Sequence, residues 1–215
     1  MVFENRYQAG LMLAEKLKHR KLFPKDSIIA SIPRGGVVVG EAISQTLLIP
    51  QVAVVIKKLG SVNNPELAIG AIASFGKPVL DRWLIKDLDI EGSYLKKEIK
   101  KKQKEAQRRE KFLGQSAEFN KYKNKNVIVV DDGLATGQTA RAAAKVIKAF
   151  NPKKLILAVP CASPVTIELV KDDYDEVICP QISADLVAVG QFYRDFKPIS
   201  DSEVKSILTS GKLTK

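Results

Sequence analysis

Histidine is nearly missing from this 215-residue chain: His19 is the only one, set in a basic helix end. A zinc site or a histidine-based catalytic triad needs partners that the sequence does not supply. Cysteine is scarce as well, with Cys161 and Cys179 the only two. Each follows an apolar run and they lie far apart, so both read as small buried hydrophobes in a reducing compartment rather than as a disulfide or a metal pair. No apolar run approaches the roughly 20 residues of a membrane helix, and the first residues lack a signal-peptide pattern. The expectation is a cytoplasmic protein without a membrane partner. Its chemistry must then run on carboxylates, backbone amides, lysine and arginine.

Acid is the scarcer charge, with 24 Asp and Glu against 35 Lys and Arg, a net charge of +11. Much of the excess lies between Tyr94 and Lys125, in YLKKEIKKKQKEAQRREKFLGQSAEFNKYKNK. The plain reading is a solvated, partly amphipathic helix in which a few acids supply i,i+4 pairs. Sharper readings are contact with nucleic acid or steering of an anionic substrate. Sparse aromatics and the lack of a recognition motif make nucleic acid the less favoured partner.

A hydrophobic content of 45% over this length can bury one sizeable core. Ala9, Leu13 and Leu17 mark the apolar stripe of an N-terminal helix. Strand-like runs follow: SIIASIP ending at Pro33, QVAVVIK (51–57), NVIVVDD (126–132), KLILAVP (154–160) and DEVICP (175–180). The helix-like segments GGVVVGEAISQTL, GQTARAAAKVIKAF and SPVTIELVKD lie between some of them. Val- and Ile-rich runs joined through helices predict an α/β fold with a twisted parallel sheet covered on both faces. Ligands bind such sheets at the C-terminal strand ends. From Lys57 to Glu66, KKLGSVNNPE reads as a mobile loop, followed by a small antiparallel ribbon around Ala68–Ser74 and Val79–Leu80. The C-terminal part is too irregular for another βα unit and predicts a cap, ending in a helix begun by Asp201 or Ser202 with Glu203 close behind. The whole chain, 1–215, is expected to form one domain: a core over about 20–180, a basic helical insertion over 91–125 and a small hood over about 180–215.

The most informative stretch is VIVVDDGLATGQT, 127–139. An apolar strand delivers Asp131 and Asp132 to its end, and a short loop opens a helix whose free N–H groups and dipole form an anion site. Thr136 and Thr139 can add hydroxyl donors. Carboxylates beside a phosphate cradle repel the ligand unless they bind its hydroxyls, and a ribose 5-phosphate meets both demands. A P-loop would need Lys and Ser/Thr after Gly137, where Gln138 stands. The spacing of Gly35, Gly36 and Gly40 does not make a dinucleotide fingerprint. No second phosphate loop suggests an ATP site.

VIVVDDGLATGQT resembles the phosphoribosyl pyrophosphate (PRPP) motif of type I phosphoribosyltransferases. The resemblance implies that Asp131 and Asp132 bind the ribose hydroxyls and that Ala135, Thr136, Gly137, Gln138 and Thr139 hold the 5′-phosphate. SIPRGG resembles the family's pyrophosphate loop, implying that Pro33, Arg34, Gly35 and Gly36 bind pyrophosphate across a cis bond between Pro33 and Arg34. Lys57 and Lys58 fall where the family has a flexible catalytic loop. The wider pattern, SIPRGGVVVG, KKLGSVNNPELAIGAIAS, VDDGLATG and VGQFYRDF with SDSEV, is similar to a group of phosphoribosyltransferases of undefined acceptor and covers nearly the whole chain.

What the resemblance implies is transfer of a 5-phosphoribosyl group from PRPP to a nitrogenous base, with release of pyrophosphate. Asp131, Asp132 and Arg34 would carry the chemistry. Mg²⁺ would be held by substrate and water, with Asp131 and Asp132 engaged through ribose or water, and an acceptor would lie near Val177, Phe192 and Tyr193. No lysine follows Val159-Pro160-Cys161 where purine enzymes contact a 6-oxopurine, which leaves the acceptor open. Self-association into a homodimer is left open too. The competing reading is a non-catalytic PRPP or nucleotide sensor whose basic helix contacts nucleic acid.

Overall fold

The computed structural model describes residues 2–20, 22–65, 67–115 and 121–210. Helix α1 (Arg6–Lys18) begins at Asn5, whose side chain accepts from the Gln8 N–H (2.9 Å). Strand β1 (Ser27–Ser31) leads into α2 (Gly35–Leu47), then β2 (Gln51–Ala53). A ribbon follows, β3 (Ile56–Gly60), β4 (Ala68–Ala73) and β5 (Val79–Leu80), and then α3 (Arg82–Asp87) and α4 (Gly92–Phe112). The second half is β6 (Asn126–Val130), α5 (Gln138–Lys148), β7 (Lys154–Ala158), β8 (Cys161–Ala162), α6 (Pro164–Val170), β9 (Glu176–Ile178), β10 (Gln181–Ile182) and α7 (Asp201–Ser210).

The central sheet has the order β2-β1-β6-β7-β9, with every pairing parallel. Alternation sends Ile28, Ala30, Val127, Val129, Leu155 and Leu157 to one face, under Ala140, Ala143, Ala144 and Ile147 of α5. Ile29, Ile128, Val130 and Ile156 point the other way, onto Leu13 and Leu17 of α1 and Val39 and Ile43 of α2. Residues buried on both faces explain why these strands are continuously apolar. The helix α1 predicted from Ala9, Leu13 and Leu17 packs closely on α2: a Cβ at Gly10 would lie 2.4 Å from the Val39 carbonyl oxygen.

Three local expectations need correction. QVAVVIK is two strands, because the chain leaves the central sheet after Ala53 and re-enters the antiparallel ribbon at Ile56. Lys57 and Lys58 consequently lie in β3 and not in a loop. Lys57 pairs with Glu105 of α4 (3.7 Å), while Lys58 faces a separate cavity between the ribbon and α5. The connection after β3 is a tied turn, in which the Ser61 hydroxyl donates to the Asn64 carbonyl (2.9 Å); Glu66, where that loop was expected to end, lies outside the described residues. The basic insertion is helical only as far as Phe112, and residues 116–120 of it lie outside the described residues. The C-terminal helix begins at Asp201, one of the two expected starts, and is capped by Ser200, which accepts from the Glu203 N–H (3.2 Å) while the Glu203 carboxylate accepts from the Ser200 N–H (2.7 Å). Among the described residues, no helix is long and apolar enough to cross a membrane.

Candidate active site

Strands β1 and β6 are parallel neighbours in register, with Ser31 opposite Val130. Two loops therefore leave the sheet side by side at its C-terminal edge, 32–35 from β1 and 131–137 from β6. The Ile32 N–H donates to the Val130 carbonyl (2.8 Å), which holds the first loop against the second. The Pro33–Arg34 bond is cis, as the resemblance implied. Glycine is required where the loops meet. A Cβ at Gly35 would sit 1.8 Å from Asp132 Oδ2, and one at Gly36 would sit 2.6 Å from the Val130 carbonyl oxygen.

On the other side, the β6 loop is anchored and then left open. The Leu134 N–H donates to the Cys161 carbonyl (2.9 Å), and the Thr166 hydroxyl of α6 donates to the Ala135 carbonyl (3.0 Å). Gly137 adopts a left-handed conformation (φ 70°) at the start of α5, and no side chain caps that helix. Its first N–H groups thus lack intrahelical partners and, with the helix dipole, form a site for an anion.

Asp131 and Asp132 stand between the two loops. Asp131 accepts from the Asp132 N–H (2.9 Å). Burial, and then the charge of Asp132, hold the Asp131 carboxyl well above the usual carboxylate range. The partner of Asp132 is one the sequence reading missed. Arg6 Nε donates to Asp132 Oδ2 at 2.7 Å, Arg6 NH1 donates to the Lys197 carbonyl at 2.9 Å, and the guanidinium lies 3.7 Å from the Phe196 ring centroid. Arg6 is only 8% exposed. A signal for it did exist: a cation in the first turn of a helix opposes the dipole, and a broken local rule often marks a site.

Arg6, Arg34, Gly35, Asp131, Asp132 and Thr139 line a cavity of about 360 Å³, closed on its apolar side by Phe196, Pro198 and Ile199. None of the residues expected at an acceptor lines this cavity. Val177 of β9 packs onto the core layer beneath α5. Phe192 and Tyr193 are buried with Phe3 and Cys161. Tyr193 serves the site from behind, its hydroxyl donating to the Asp132 carbonyl (2.7 Å), and burial raises its phenol. The Cys161 thiol is pushed up to about 12, chiefly by burial, which keeps it protonated and unreactive. Both cysteines are free. Among the described residues, no group of three or more His, Cys, Asp or Glu is gathered for a metal ion.

The fold and this pair of loops define a type I phosphoribosyltransferase architecture. A model of the phosphoribosyl transferase domain matches residues 5–197. A Mycobacterium tuberculosis protein provisionally named a phosphoribosyl transferase is 34% identical over 207 residues, 96% of this chain. The chain spans about half of that relative's length, 46%. The solved structure of TT1426 from Thermus thermophilus superposes with a TM-score of 0.87 at 33% identity, covering 98% of this chain and 99% of that one. The purine phosphoribosyltransferase from Pyrococcus horikoshii shares the fold at a TM-score of 0.50 and 18% identity, covering 91% and 93%. The chain belongs to the phosphoribosyl transferase domain family.

Proposed function

We propose that the chain transfers the 5-phosphoribosyl group of PRPP to a nitrogenous acceptor and releases pyrophosphate. One observation carries this reading: Thr139 in the first turn of the uncapped helix α5, the adjacent carboxylates Asp131 and Asp132, and the Pro33–Gly35 loop meet around a single cavity. The 5′-phosphate takes the α5 N–H groups with Thr136 and Thr139. Ribose hydroxyls take Asp131 and Asp132. The leaving pyrophosphate lies against Gly35, Gly36 and Arg34, whose charge offsets the negative charge that grows as the C1–oxygen bond breaks. The wall of Phe196, Pro198 and Ile199 receives the acceptor, in place of the Val177 surface expected from sequence.

Two carboxylates, one already bonded to Arg6, form no cage, and they suit a magnesium ion that keeps most of its coordination from water and substrate oxygens. Asp131 and Asp132 would hold it through the ribose hydroxyls and water, and it would supply charge neutralisation to the departing pyrophosphate. The direct test is pyrophosphate release from PRPP across purines, pyrimidines and small aromatic acids, with Asp131→Asn/Asp132→Asn as control. Turnover with one acceptor class, abolished in the control, supports the proposal. Tight PRPP binding without turnover on any acceptor would favour a sensor built on the same site.

A further inference from the structure

We propose that the outer face of α4 is a docking surface for the phosphate backbone of a nucleic acid. Between Gly92 and Phe112 the helix carries nine Lys or Arg and three Glu. At 3.6 residues per turn, Lys97, Lys100, Lys101, Lys104, Arg108 and Lys111 fall within an arc of about 100°, and all six are exposed. The acids are turned away from that arc. Glu105 bonds Lys57 and Lys102, Glu110 is buried against Lys121, and Glu98 lies on the side of Tyr94. None of the six cations has an ion-pair partner among the described residues. Glu105 stands four residues after Lys101 and three before Arg108, yet it bonds Lys57 and Lys102 instead.

Like charges one turn apart, such as Lys97 with Lys101 and Lys104 with Arg108, destabilise a helix. The inner face compensates: Leu95 and Ile99 pack against Leu59, Ile69 and Ile72 of the ribbon, and Ala106 packs with Val204 and Leu208 of α7. The charged line is thus held rigid by a buried face on which it does not depend. Lys97 to Lys111 spans about 21 Å, the length of about six base steps at 3.4 Å each.

The chemistry favours a polyanion read through its backbone. Tyr94 is tied to the Gly60 carbonyl (3.0 Å), and half-exposed Phe112 has Lys205 over one face of its ring (5.5 Å to the centroid); the six-residue line itself offers cations alone. Contact would then be sequence-independent and salt-dependent. An anionic membrane is disfavoured because a surface helix needs a free apolar face, and that of α4 is already buried. A second copy of the chain would oppose like charges. None of the six residues lines the Asp131–Asp132 cavity, so this surface stands independently of the transferase reading.

The test is fluorescence anisotropy with a labelled 20-base-pair duplex, RNA and DNA in turn, between 50 and 200 mM salt. Six phosphate contacts predict a slope of log K against log salt near −5, falling to about −2 in Lys97→Gln/Lys101→Gln/Lys104→Gln/Arg108→Gln. That variant should bind at least tenfold more weakly at 100 mM salt with a melting temperature no lower than that of the wild type. A control that removes the same charge elsewhere, Lys16→Gln/Lys86→Gln/Lys148→Gln/Lys153→Gln, should bind within twofold of wild type. Absence of binding at 50 mM salt, or equal losses in both quadruple variants, would overturn the proposal. So would binding to phosphatidylserine vesicles without binding to either duplex.

Discussion

Replacing Arg6 separates the roles of the ion pair most sharply. Arg6→Ala removes the 2.7 Å bond to Asp132, the 2.9 Å bond to the Lys197 carbonyl and the stacking on Phe196 at 3.7 Å. Breaking a buried pair from one side costs about 3–5 kcal/mol. The Asp132 side chain keeps 17% exposure, so water recovers part of that and the lower end, about 3 kcal/mol, applies. For a chain of this size that is a fall in melting temperature of about 6–12 °C. Arg6→Lys keeps the charge but loses the planar fork and the ring contact, about 1–2 kcal/mol. Because Asp132 loses its fixed orientation in both variants, PRPP affinity should fall about tenfold in Arg6→Lys, equivalent to about 1.4 kcal/mol, and further in Arg6→Ala. Differential scanning fluorimetry and titration calorimetry read the two quantities. Arg6→Lys matching wild type in both would refute the reasoning. Tighter PRPP binding by Arg6→Ala would show that Arg6 competes with the ribose and does not position its carboxylate.

Three further outcomes are expected. The raised Asp131 carboxyl keeps its proton to higher pH when folded than when unfolded, so stability falls as pH rises from the ordinary value of 3.8 through the raised one; Asp131→Asn should therefore melt higher than wild type by a margin that is larger at pH 8 than at pH 5, while PRPP binding is lost. Gly35→Ala drives the Asp132 carboxylate off Arg6 and should abolish PRPP binding with a fall in melting temperature no larger than that of Arg6→Ala, whereas Gly36→Ala meets backbone and should destabilise by about 1–3 kcal/mol on chemical denaturation. Glu176 is lowered by its bond to Lys154 and by Arg20, so its contribution is present above the unfolded value and lost as pH falls through the folded one; Glu176→Gln should cost about 0.5–1 kcal/mol at pH 7 and progressively less as pH falls below the ordinary carboxylate value.

The parts of the fold legible in the sequence were those with a strong local signal. Strands apolar at every position, such as Val127–Val130, and the Asp-Asp-Gly loop behind them announced a parallel sheet and its ligand edge. The ribbon start was misplaced because Val54 and Val55 are buried and bridge two sheets, so QVAVVIK offers no break in hydropathy where the chain turns. Arg6 carried only the weak signal of a cation in a first helical turn, and its partner could not be read because it is 126 residues away and only the packing of α1 beside β6 joins them. Phe196, Pro198 and Ile199 belong to irregular chain, where neither period applies. Val177 is one residue of a short edge strand, partly buried against the core layer, and its side is set by strand alternation.

The central claim is that the cavity between Pro33–Gly36 and Asp131–Thr139 takes PRPP. Calorimetric titration of the intact chain with PRPP and magnesium measures it directly, using Asp131→Asn/Asp132→Asn in parallel. The account predicts one saturable site in the wild type and none in the double variant. No heat and no thermal shift with PRPP in the wild type, or equal affinity in the two proteins, would contradict it.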